Sequence, residues 1–175
     1  MYANLFKSLN DGEVEFLVLG VAAVCLHGFA RMTEAIDILL KNTSDNVERF
    51  VAVASKWGSG CASDLEIEHF QGPGAVRIVE DFPLDVFTLV DGRSYESFAG
   101  NAVRHEIGGG IIVPSFSIAD LIEVKSKTLR ERDELDVTVL RRLQAQPETA
   151  AEAPSIMLDR LPGTPPANES EVPPR

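Results

Sequence analysis

The chain has 175 residues, 45% of them apolar and 25% charged, the balance of one globular domain with a buried core. Its formal charge of −11 argues against tight, sequence-independent binding to DNA or RNA, because phosphate contacts need a basic face. No apolar run approaches the roughly 20 residues of a membrane span, and the start MYANLFKSLNDGEVEF lacks the basic head and long apolar stretch of a signal peptide, so a cytoplasmic protein is expected.

In chain order, ANLFKSLND has helical spacing and stops at the turn signal Asp11-Gly12. EVEFLVLG is rich in strand formers, VAAVCLHGF reads as a short apolar helix closed by Gly28, and AIDILL as a second strand. SDNVERFVAVASKWG is an amphipathic helix with Ser44 or Asp45 as cap and Gly58 as stop. DLEIEHF, AVRIVED and PLDVFTLV read as three further strands. A helix around SYESFAGNAV and a hairpin VRHEIGGGIIVP follow, the glycines 108 to 110 forming its turn. Two helices close the body, SIADLIEVKSKTLR, with Ser117 and Asp120 arranged like a capping box, and DELDVTVLRRLQ. The order predicts an α/β (α+β) domain over residues 1–145, a small mixed β-sheet flanked by helices. Residues 146–175, rich in Pro, Glu and Ala and without aromatics, are expected to be disordered, the short SIMLDRL being the one stretch suited to docking.

Chemistry is sparse. Cys25 and Cys61 are far apart and carry no pairing or metal signal. His69 and His105 lack zinc-ligand spacing, and His27 reads as a helix-end residue. Asp37, between Ile36 and Ile38, and Asp85, between Leu84 and Val86, are carboxylates set in apolar strands. A charge placed among core residues is unfavourable unless it is paired or binds a cation. On adjacent strands these two acids form a candidate Mg²⁺ site with a low ligand count, or strand acids satisfied by Arg31 or Lys125. Lys125, Lys127, Arg130, Arg132, Arg141 and Arg142 crowd one region, either a solvated, ion-paired helix face or a local basic surface for a phosphate-bearing ligand.

The runs LGVAAVCLHGFARMTEAIDILL, PLDVFTLVDG and SIADLIEVKSKTLRERDELDVTVL, in that order, resemble the nucleotidyltransferase superfamily, in particular its small bacterial branch related to toxin- and antitoxin-type transferases. The resemblance spans Glu15 to Leu143 and implies a nucleotidyltransferase-like fold. It also implies two Mg²⁺ (or Mn²⁺) ions on three carboxylates, gripping a nucleoside triphosphate while an acceptor hydroxyl attacks the α-phosphate and pyrophosphate leaves. Carried onto this chain, Gly20 and Val21 fall on the pattern's glycine pair, and Arg31 and Thr33 on its Arg and Thr. Asp37 is the second carboxylate and Asp85 the third, Lys125 matches the distal Lys, and Arg130, Asp133 and Asp136 match the last motif.

Two departures stand out. Val21 puts a β-branched side chain where phosphate would approach, and Ala35 stands at the place of the first carboxylate. Glu34 is a poor substitute, because a shift of one position along a strand reverses the face. The resemblance therefore implies transfer from a nucleoside triphosphate to an acceptor, whether protein, RNA or small molecule, in a form impaired at position 35. The alternatives are an inactive nucleotide- or protein-binding module, such as an antitoxin-like or regulatory partner, or a scaffold whose tail makes the useful contacts.

Overall fold

The computed structural model describes residues 2–72, 74–128 and 131–145. The expected disordered tail, SIMLDRL within it, and Arg130 lie outside the described residues. Among these residues the chain is a mixed α/β protein with six α-helices and one six-stranded mixed sheet.

Helix α1 (Tyr2–Asp11) buries Tyr2, Leu5, Phe6 and Leu9, a stripe at helical spacing that packs on the sheet, where Phe6 stacks on Phe16. Strand β1 (Phe16–Leu19) is buried along its whole length because both its faces are covered, and α2 (Gly20–Leu26) starts directly from its end. Strand β2 (Ile36–Leu40) returns antiparallel to β1, and α3 (Ser44–Ala54) follows. Strands β3 (Ala75–Val79) and β4 (Pro83–Phe87) form a hairpin. A short α4 (Glu96–Ala99) precedes the hairpin of β5 (Val103–Ile107) and β6 (Ile111–Ser115), whose turn is the three glycines 108–110. Helices α5 (Ile118–Ser126) and α6 (Glu131–Ala145) pack against each other at the end.

The strand order is β3-β4-β2-β1-β6-β5, with β2 and β4 parallel, β1 and β6 parallel, and the other neighbours antiparallel. Because β4 runs beside β2, the two strands that carry lone acids become neighbours.

Three expectations are corrected. DLEIEHF is not a strand; Cys61–Asp64 and Ile67–Phe70 are 3₁₀ turns. The Glu66 side chain accepts from the His69 backbone while the Glu66 N–H donates to His69 Nδ1 at 2.9 Å, and such local bonds displace ladder pairing. The N-cap of α3 is Thr43, with no side-chain cap bond, rather than Ser44 or Asp45. The helix expected around SYESFAGNAV shrinks to the four residues of α4. Ser117 does cap α5, accepting from the Asp120 N–H at 3.1 Å while its hydroxyl donates to the Asp120 carboxylate at 2.6 Å.

Candidate functional site

Four side chains form one row across the sheet. Leu19 of β1 pairs in register with Asp37 of β2, Asp37 with Asp85 of β4, and Asp85 with Arg77 of β3. Register partners share a face, so the two carboxylates stand side by side.

They differ in how they are compensated. Arg77 grips Asp85 with a fork, Nε to Oδ1 and Nη2 to Oδ2, both at 2.7 Å. The Asp37 carboxylate has no hydrogen bond or ion pair with any described residue. Burial pushes its carboxyl up to about 6 and the charge of Asp85 adds to the rise, while Lys125 and Arg77 pull it down. Sequence reasoning missed Arg77 entirely, and Asp85 is satisfied by it rather than by Arg31 or Lys125.

Gly20 makes room for this arrangement. It adopts φ +66°, and a Cβ there would collide with Oδ2 of Asp37, so the close approach of strand acid and helix start depends on glycine. Val21 lies in the first turn of α2, half-buried. Ala35 sits immediately before β2, its carbonyl accepting from the Thr33 hydroxyl at 2.7 Å. A methyl group offers no metal ligand at that place.

A cleft of about 720 Å³ opens between this face of the sheet and the α5–α6 pair, with Gly20, Asp37, Phe87, Phe116, Lys125 and Asp133 among its lining residues. Its walls are mainly apolar, with a few convergent charges, as in small-molecule sites.

The remaining motif residues gather behind it. Asp136, 1% exposed, accepts from both Arg31 and Lys125, the latter at 2.8 Å. Lys125 also donates to Asp133 at 3.0 Å, and the Thr128 hydroxyl donates to the same carboxylate. Two carboxylates and two cations thus tie the loop before β2 to α5 and α6, and Asp136 has the paired cations that a buried charge requires. Lys125 lines the cleft with its ammonium held in this network.

A second polar cluster lies between α2, β5 and β6. His27, buried at the end of α2, donates from Nε2 to the Phe116 carbonyl at 2.8 Å, and His105 Nε2 lies 2.9 Å from the Ser115 hydroxyl. The two imidazoles meet edge to face at 4.8 Å. Burial lowers both pKa values, that of His105 to about 4 with the charge of His27 contributing.

A divalent cation is the group the resemblance implies. The residues fit one such ion better than two: Asp37 presents a partly buried carboxylate with no hydrogen-bond partner beside Asp85, Ala35 contributes nothing, and Asp85 is already forked by a guanidinium. Among the described residues no three His, Cys, Asp or Glu side chains group as metal ligands. No protein-family model matches the chain, and no curated protein does either.

Proposed function

We propose that this chain is a nucleotidyltransferase-like protein that binds a nucleoside triphosphate with one Mg²⁺ or Mn²⁺ in the cleft beside Asp37, and in which nucleotide transfer is strongly impaired by alanine at position 35. One observation carries the reading: Asp37 lines the cleft in register with Asp85, and its carboxylate has no hydrogen bond or ion pair with a described residue. An ionised carboxylate in that setting is stabilised by a cation.

Asp37 would hold the cation and Asp85 would adjoin it. When bound, such an ion supplies charge neutralisation of the phosphates. Lys125 sets an ammonium at the cleft wall, and its tie to Asp133 and Asp136 fixes where that group sits. The acceptor class stays open among protein hydroxyls, RNA ends and small molecules.

Pyrophosphate release and label transfer, measured for the chain and for Ala35→Asp with protein, RNA and small-molecule acceptors, test the impairment. We expect transfer to rise at least about a hundredfold in the substituted chain, the order by which a lost electrostatic group lowers a rate. Equal rates in both would overturn the assignment of position 35.

A second reading is a partner-binding module in a toxin–antitoxin or regulatory pair. Met32 and Leu135, 70% and 69% exposed, favour it, each adjoining a member of the Arg31–Asp136 bridge. Absence of nucleotide binding together with capture of a cognate protein that Met32→Ser and Leu135→Ser weaken would select this reading.

A further inference from the structure

We propose that Arg77 is a resident cation of this site, standing in at Asp85 for a metal ion and restricting the Asp37–Asp85 pair to a single, weakly held divalent ion. The inference rests on the cation-binding reading above and adds to it the residue that sets stoichiometry and affinity.

The row across the sheet places Arg77 next to Asp85 and one strand further from Asp37. Both carboxylate oxygens of Asp85 are engaged, each at 2.7 Å, in the bidentate geometry that makes Arg–carboxylate pairs the strong members of their class. A guanidinium does not lose its proton in a protein, so the charge it brings is permanent. The fork takes one lone pair of each Asp85 oxygen and its positive charge opposes a second cation there, so an ion seeking ligation by both acids competes with it. Asp37, which lines the cleft, remains the accessible acid.

Release of Asp85 is sterically simple. Arg77 lies on the edge strand, its side chain 61% exposed, while the Asp85 side chain is 12% exposed, so the guanidinium can swing into water without opening a hole. Arg77→Gln opens no cavity; its cost is the lost pairing of Asp85, which the melting temperature of the metal-free variant reads separately from Mn²⁺ binding. The charge of Arg77 also reaches Asp37, so Arg77→Lys, which keeps the charge without the fork, gives the test its contrast.

The experiment is Mn²⁺ binding to the whole chain, followed by electron paramagnetic resonance of free Mn²⁺ and by the Mn²⁺-induced rise in melting temperature, for the chain itself, Arg77→Gln, Arg77→Lys, Asp37→Asn and Arg77→Gln with Asp85→Asn. Freeing Asp85 should tighten Mn²⁺ binding about tenfold in Arg77→Gln, and Asp85→Asn should abolish the gain. Arg77→Lys, which keeps the charge but loses the fork, should fall between. Equal affinities in the chain and in Arg77→Gln, with binding lost in Asp37→Asn, would overturn the role of Arg77 and leave the cation site standing. No binding by any of the proteins would overturn both.

Discussion

Asp37 makes the site legible as a physical problem. Its carboxyl titrates near 6 in the fold against 3.8 in the open chain, so ionised Asp37 lowers stability above pH 6, and that loss disappears as pH falls below 3.8. In metal-free buffer, Asp37→Asn should therefore raise stability at pH 7.5 by up to about 3 kcal/mol, shrinking steadily toward pH 4, as urea midpoints at several pH values would show. An increment that does not change with pH would contradict this account of Asp37. Gly20 is the complementary case. Gly20→Ala forces a side chain into a left-handed backbone and against Asp37, and should destabilise the chain by roughly 1–3 kcal/mol, with a weakened cation response measurable by the Mn²⁺-dependent melting shift.

At the scale of elements, two devices hold α2, β2 and the α5–α6 pair around the cleft. The first is Asp136, buried between Arg31 and Lys125. Asp136→Ala leaves Arg31 without its carboxylate and Lys125 with Asp133 alone, and should lower stability by about 3 kcal/mol in chemical denaturation. A smaller loss in Asp136→Ala combined with Arg31→Met would show the coupling directly. The second is the His27–Ser115–His105 cluster. Both imidazoles are held neutral below the usual 6.5, so their contribution is full at neutral pH and is lost as pH falls through 6.5 toward 4. Ring-proton titration by NMR should find His105 neutral to about pH 4, and His105→Gln should flatten the acid limb of the stability profile.

Much at this scale was readable in advance. Strand acids, the Ser117 cap and the glycine hairpin are local signals with local causes. The 3₁₀ turns at 61–70 were not readable, because alternation in DLEIEHF mimics a strand while Glu66 and His69 satisfy the backbone locally. Arg77 carried no signal in the sequence. Its role comes from the register of β3 on β4 and β4 on β2, which no local pattern encodes. The pairing of Lys125 with Asp133 and Asp136 was hidden too, since it depends on how α5 packs on α6.

For the whole molecule, the mixed sheet matters because it brings two strands that are distant in sequence side by side and leaves a cleft over them. No helix among the described residues is long and apolar enough to cross a membrane. The charge of −11 also bears on partners. Two cations of the expected basic region are committed within the fold, Lys125 to Asp133 and Asp136, and Lys127 to Asp91 and Glu123. Binding to RNA or DNA should accordingly be weak at 0.15 M salt, and a filter-binding series with a steep salt slope would contradict that expectation.

The most direct test of the central claim is calorimetric titration of each nucleoside triphosphate, with and without Mg²⁺, into the whole chain and into Asp37→Asn. The account predicts binding that requires Mg²⁺ and weakens at least about tenfold without the Asp37 carboxylate. Binding that is indifferent to both the ion and Asp37, or no binding to any triphosphate, would contradict it.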